Sequence, residues 1–421
     1  MRFEPKPDND FEQFIDTYFQ RCRQVCPKLR AIAGKWTFED LIPGMSDFDT
    51  RLIFTDDVTI EQWAQMSLDV GKVHTQLATE FPQWARKLEH LPGLNLMCAE
   101  MIDPVFYYPE FQQWTFYKGD EQILGTISNY LAKKPWGRRD ELFHLKKFAA
   151  YYGPYLRWID PPVNMGKWEN KYPLHSRFMH YFTPPVQSAV SIIRKKGIPG
   201  KLDALRQAKE LFPNPDVIDM ILESLEMHYE NRNYYIEPKL TEIEKSLEEY
   251  LHNIWIEFSN HVTLTKPDRQ DSPADVKAKI STIPVDPAEQ FYEGIKFSRF
   301  MKGRLLFYAT QIDWFDSSHL IHVELGRMVQ NFYEKPLKTF GLVKFGKDIT
   351  TDEVLGKLSP DIVPRDIIDG VRRFTSTAKQ PVIDGAEKAF AKKIAGVIEP
   401  INTMNELLGQ HLKEHFLGKN I

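Results

Sequence analysis

The stretch AIAGKWTFEDLIPGMSDFDTRLIF, residues 31–54, joins two short apolar runs across a polar loop that carries a Pro-Gly turn. LRAIAG at 29–34 reads as a buried strand ending at Gly34, and FDTRLIF at 48–54 as a second one. Side chains alternate across a strand, so Asp47, Asp49 and Arg51 share one face. Phe48, Leu52 and Phe54 lie on the other, buried face. Two neighbouring carboxylates repel each other, and a divalent cation offsets that repulsion. Mg²⁺ suits the task, because it takes oxygen ligands and keeps waters and substrate phosphates in its shell. Paired metals between a nucleophile and a leaving phosphate stabilise an in-line displacement, and a glycine loop lets backbone amides approach a triphosphate. An isolated D-x-D is more often a turn whose aspartates cap a strand. The glycine that ends the preceding strand shifts the balance towards a metal site.

The pattern around this stretch places it in a small mixed domain. Residues 9–27 put Phe11, Phe14, Ile15, Tyr18 and Phe19 at helical spacing after an Asn-Asp start. Thr59–Glu80 has amphipathic helical spacing. LNLMCAEMI, residues 94–102, follows a Pro-Gly pair and reads as a third strand. Beyond it strand signals fade. The expected fold class is α+β, a small mixed-sheet domain followed by mainly helical domains. The expected boundaries are 1–118 for the catalytic unit and 119–264 for a helical domain closing the cleft. A Pro-rich linker at 265–289 and a further, mainly helical region at 290–421 complete the division.

The chain has 421 residues, 42% hydrophobic and 27% charged, which is ordinary for a packed multidomain protein. A formal net charge of −4 shows no basic excess, so nucleic acid is not the expected partner. Cys22, Cys26 and Cys98 are too few and scattered for a disulfide framework or thiolate metal site. No signal-peptide core opens the chain, and no run approaches the length of a membrane span. The expectation is a cytoplasmic protein without a membrane partner; the sequence leaves its oligomeric state open.

The G…D-x-D arrangement resembles the signature of the nucleotidyltransferase (polymerase-beta-like) superfamily, and within it the aminoglycoside (streptomycin/spectinomycin) adenylyltransferases. YYPEFQQWTFYKGD at 107–120 is similar to their aromatic-rich segment after the third strand. IIRKKGIPGKLDALRQAKELFP at 192–213 is similar to a segment of their helical domain. The resemblance covers about residues 25–235. It implies Gly34 as the phosphate loop, Asp47 and Asp49 as Mg²⁺ ligands and catalytic groups, and Lys201 as a contact to the nucleotide phosphates. Lys35, Thr37 and Ser46 fall among the nucleotide-binding positions. The implied reaction is attack of an acceptor hydroxyl on the α-phosphate of a nucleoside triphosphate, most naturally ATP, releasing pyrophosphate. A hydroxyl-bearing small molecule, an aminoglycoside among them, is the implied acceptor.

Two departures stand out. Lys35 replaces the serine that follows the glycine; a lysine holds phosphate as a point charge, and Thr37 is placed to supply the missing hydroxyl. Asn95 occupies the place of a third carboxylate and cannot take a proton, so Glu100, ahead of Asp103, is expected to substitute. The same departures sustain an alternative: a catalytically degenerate protein that senses nucleotide or docks a partner. HLKEH at 411–415 and the pair His319 and His322 read as helix-face histidines rather than metal sites. RWIDPPVNMGKWENKYPLHSR at 157–177, with Asp160 and Glu169, is a loop-like candidate for contacts to a cationic acceptor.

Overall fold

The computed structural model describes residues 10–41, 46–85, 87–88, 90–157, 183–230, 246, 249–251, 253–266, 268, 270–283, 286–310 and 317–417. It is a mixed α+β architecture: one four-stranded sheet and many helices. The strands are β1 (Leu29–Gly34), β2 (Thr50–Phe54), β3 (Leu94–Met97) and β4 (Thr115–Gly119), in the order β3-β2-β1-β4. β1 is antiparallel to both β2 and β4, and β2 is parallel to β3. That parallel step needs a crossover, supplied by α2 (Ile60–Glu80). Gln62 reaches back to the Thr59 amide at 2.9 Å and fixes where the helix starts.

The predicted alternation holds along β2. Leu52 and Phe54 enter one core with α1 (Phe11–Val25) and α2, where Phe14, Tyr18, Val70 and Leu77 are buried. Ile53 enters the opposite core with Ala31, Leu94, Leu96 and Phe111. Arg51 shares the Ile53 face. Asp49 lies just before the strand, where Trp36 of the α1/α2 core donates to its carboxylate.

A short α3 (Cys98–Met101) follows β3, and α4 (Glu121–Lys133), α5 (Arg138–Arg157), α6 (Thr183–Arg194), α7 (Lys201–Leu211) and α8 (Asp216–Glu230) follow β4. α5, α6 and α7 build a separate helical core around Leu145, Phe148, Val190, Leu205 and Trp255. The Pro-rich 265–289 stretch is not a plain linker. It contains α9 (Pro273–Ser281), and Ile280 and Ile283 are buried in this same core. Ser272 Oγ and Asp275 form a capping box with Pro273 at the first helical position, so the proline starts the helix instead of breaking it.

The remaining helices are α10 (Pro287–Ser298), α11 (Met301–Thr310), α12 (Ser317–Arg327), α13 (Lys335–Phe345), α14 (Thr351–Lys357), α15 (Arg365–Ala378), α16 (Glu387–Ala395) and α17 (Glu399–Leu412). They enclose a third core around Phe291, Leu305, Phe340, Val371, Phe374 and Leu408. This region is bound tightly to the sheet domain. Phe300 is buried in the α1/α2 core and Leu91 in the C-terminal one. α11 crosses α2 so closely that a Cβ on Gly303 would lie 2.1 Å from the Ser67 carbonyl oxygen, while the Gly303 amide donates to Ser67 Oγ at 2.7 Å. Backbone cannot give way as a side chain does. Gly303→Ala is therefore expected to cost about 3 kcal/mol, the upper end for overpacking, read as a fall in the urea midpoint at unchanged slope. No described helix is long and apolar enough to cross a membrane.

Candidate functional site

Asp47 and Asp49 sit at the mouth of β2, each half-buried. Asp49 Oδ2 accepts a 3.0 Å hydrogen bond from Trp36 Nε1, which fixes the carboxylate against the end of β1. Trp36 in turn carries two ammonium groups. Lys201 Nζ lies 3.9 Å from the ring centroid and Lys35 Nζ 5.0 Å. Burial opposes ionisation of Asp49, but Arg51, Lys35 and Lys201 outweigh it and hold the carboxyl well below its usual range. Asp49 is a carboxylate at any physiological pH. Asp47 Oδ2 faces His90 Nε2 at 3.9 Å. The His90 ring shares a 2.6 Å hydrogen bond with the Tyr308 hydroxyl through Nδ1, and burial together with Arg304 lowers its pKa to about 3.

Lys201 is only 6% exposed, yet its ammonium donates no hydrogen bond among the described residues. Burial drives its pKa down to about 8, although Asp49 and Asp40 favour its charge. Its helix is positioned from the sheet domain. Asp40 Oδ1 accepts from the Lys201 and Leu202 amides, both at 2.8 Å, capping α7 from the loop that follows β1. Asp40 Oδ2 accepts from Thr37 Oγ1 at 2.6 Å and from the Thr37 amide at 3.1 Å. Gly200, at φ +88°, lets the chain turn into the helix, and a Cβ there would meet Asp40 Oδ2 at 2.8 Å. Asp40→Ala is expected to lower stability by about 1–3 kcal/mol, the cost of stranding buried donors. It should also weaken any ligand that depends on Lys201, measured by titration beside the unfolding curve.

The structure gives four of the expected site residues other partners. Thr37 does not offer a spare hydroxyl, because its proton goes to Asp40. Ser46 likewise donates to the Asp40 carbonyl at 2.9 Å, so both hydroxyls shape the loop. Gly34 makes room for rings: a Cβ there would lie 2.7 Å from Tyr117 Cε2 and 3.2 Å from Phe48 Cε2. Glu100 does not join the aspartates. The third strand ends at Met97, and Glu100 lies in α3, where it accepts from the Met97 amide at 2.8 Å. It pairs there with Arg299 at 2.9 Å and with Lys296.

Asp103, the second choice, pairs with Lys413. Asn95 lies beside Leu52 in the parallel register and therefore faces away from Arg51; its Nδ2 donates to the Pro92 carbonyl at 3.1 Å. Asp160 and Glu169 lie outside the described residues. His322 faces Glu387 at 3.8 Å, and His411 Nε2 lies 2.8 Å from Lys344 Nζ.

The carboxylate that does share the Arg51 face is Glu110, which sequence reading passed over. Arg51 Nη2 is 3.2 Å from Glu110 Oε1, and Trp114 Nε1 donates to the same oxygen at 3.1 Å. Burial opposes its charge, but Lys35, Arg51 and Lys147 hold its pKa down to about 2. Lys147, on α5, donates to Gln113 Oε1 at 3.2 Å. Burial and the neighbouring Lys35 bring its pKa down to about 7. The site thus gathers Asp47, Asp49 and Glu110 with Lys35, Arg51, Lys147 and Lys201, drawn from the sheet, its loops and two helices of the helical domain. Among the described residues no third histidine, cysteine or carboxylate completes a protein-only metal cage. Two aspartates remain sufficient for Mg²⁺, whose other positions go to waters and phosphates. No protein-family model, no curated protein and no solved structure matches the chain, so the reading of this site rests on its own geometry.

Proposed function

We propose that the protein is a Mg²⁺-dependent nucleotidyltransferase. It would move a nucleotidyl group, adenylyl from ATP in the first instance, to a hydroxyl of a second molecule and release pyrophosphate. The observation that carries this reading is the convergence of Lys35 and Lys201 on Asp49, one flanking the tryptophan that orients the carboxylate and the other stacked on it. An anionic pair beside one buried and one half-buried ammonium group suits a metal-bound polyphosphate, which presents cation and anion together. The sheet with D-x-D opening β2, and helices folded over it, supports the nucleotidyltransferase resemblance.

In this reading Asp47 and Asp49 would hold the metal, which supplies charge neutralisation at the phosphate under attack. Lys201 and Lys35 bind the leaving phosphates, and Trp36 holds Asp49 in one orientation. Asp40 keeps α7, and with it Lys201, in register with the aspartates. Such chemistry is chiefly positioning and electrostatics. The test is pyrophosphate release from ATP and Mg²⁺ against a panel of neutral, cationic and anionic hydroxyl compounds, with Asp47→Asn/Asp49→Asn as control. Release that the double substitution abolishes supports the proposal; a panel without release removes the enzyme.

A second reading is a nucleotide sensor without turnover. It is favoured by Glu100 and Asp103, both committed to ion pairs with the C-terminal region. Binding of ATP without pyrophosphate release would select it.

A further inference from the structure

Glu110, Gln113 and Lys147 do not belong to the aspartate pair, and their chemistry points elsewhere. Lys147 is partly exposed and donates one hydrogen bond, to the neutral Gln113, while no carboxylate pairs with it among the described residues. The nearest acidic influence, Glu110, is already engaged by Arg51 and Trp114. Gln113 Nε2 and Arg51 Nε are buried donors with no acceptor. Buried donors are ordinarily satisfied, and here one of them, on Gln113, belongs to the side chain that accepts from the half-open Lys147 ammonium. Four cations act on this corner, and each carboxylate in it already has a basic or N–H partner. A cationic acceptor would add like charge to it. An anion would relieve it.

We infer that Lys147, held by Gln113 and backed by Lys35, binds an oxyanion, a phosphate or carboxylate, in a subsite that does not work through the aspartate pair. The inference takes from the nucleotidyl-transfer reading only the location of the cleft. If that reading holds, the anion is either the end of the triphosphate or a charged group on the acceptor, and the acceptor is not a polycation.

The test is calorimetric titration of the full chain with inorganic pyrophosphate in excess EDTA. Wild type should bind, and Lys147→Met should weaken binding about tenfold, the loss of one charge-assisted hydrogen bond. Lys147→Arg should restore most of it, and Asp47→Asn/Asp49→Asn should retain it. The methionine keeps the aliphatic stem beside the Phe143 ring, and an unfolding curve for each variant separates lost binding from lost structure. Should Lys147→Met fail to fold, Lys147→Gln gives the same readout. No binding to wild type, or equal binding to Lys147→Met, would overturn the inference. So would binding that appears only in a parallel titration with Mg²⁺ in place of EDTA and only with the aspartates intact, which would mean capture through the metal. Repeating the titration with ATP-saturated protein assigns the source. Displacement by ATP marks the triphosphate tail, and simultaneous binding marks the acceptor's anion. Because the assay contains neither metal nor turnover, it can succeed where the nucleotidyltransferase reading fails, and the reverse.

Discussion

Arg299→Leu is expected to destabilise the protein by about 3–5 kcal/mol, the cost of leaving buried charges without their partner. Arg299 is 1% exposed, and its guanidinium lies 4.2 Å from the Trp63 ring centroid. It donates twice to Glu100, both bonds at 2.9 Å, and to Glu406 at 2.5 and 3.0 Å. A further bond of 2.8 Å reaches the Asn95 carbonyl on β3. One side chain therefore ties α17, α3 and the edge of the sheet together. Leucine would leave the partly buried Glu100 and Glu406 without Arg299, with Lys296 left to answer them. Urea unfolding should show a lower midpoint, and a second transition would show the C-terminal region parting from the sheet domain.

The pH dependence of this cluster has a fixed sign. Burial disfavours a charged Glu100, but Arg299 and Lys296 prevail, so its folded pKa lies well below the unfolded value. Its contribution is complete above an unfolded pKa of about 4.3 and is lost as pH falls further. The stability gap between wild type and Glu100→Gln should accordingly narrow below that pH.

Under the proposed function, Asp49→Asn is expected to cut nucleotidyl transfer about 10³-fold, equivalent to about 4 kcal/mol of transition-state stabilisation, with the fold kept. The asparagine can still accept from Trp36, so the loop should stay in place. What disappears is the charge that faces Arg51, Lys35 and Lys201. Without it a divalent cation held as proposed would lose half of its protein ligands, and the lysines lose their counter-charge. Affinity for metal-free polyphosphate should be unchanged or rise. A variant with both metal-dependent and metal-free binding gone has lost structure, which its unfolding curve would reveal.

The parts of the site legible in the sequence are those set by local pattern. Alternation along FDTRLIF puts Leu52 and Phe54 on one face and Ile53 on the other, as β2 shows. What failed depended on where chain segments stop or meet. Nothing apolar distinguishes LNLM from CAEMI. Only the Met97–Glu100 spacing, with the glutamate reaching back to the helix start, marks the turn that carries Glu100 away. The Ser272–Asp275 box is a readable helix start among prolines whose density suggests a linker. Glu110 had a weak signal, an acid amid aromatics. Lys147 had none, since a lysine on an amphipathic helix acquires meaning only when α5 is packed against the 109–113 turn. Asp40 read as loop polarity because its partners, the Lys201 and Leu202 amides, lie 161 and 162 residues away.

The central claim, that Asp47 and Asp49 form the metal-dependent nucleotide site, is tested most directly by calorimetric titration with ATP, with and without Mg²⁺. Wild type and Asp47→Asn/Asp49→Asn are compared at equal ionic strength. The account predicts tight binding with Mg²⁺ in wild type, weaker binding without it, and no gain from Mg²⁺ in the double variant. Binding of ATP that neither Mg²⁺ nor the double substitution alters, or no binding at all to a folded wild type, would contradict it.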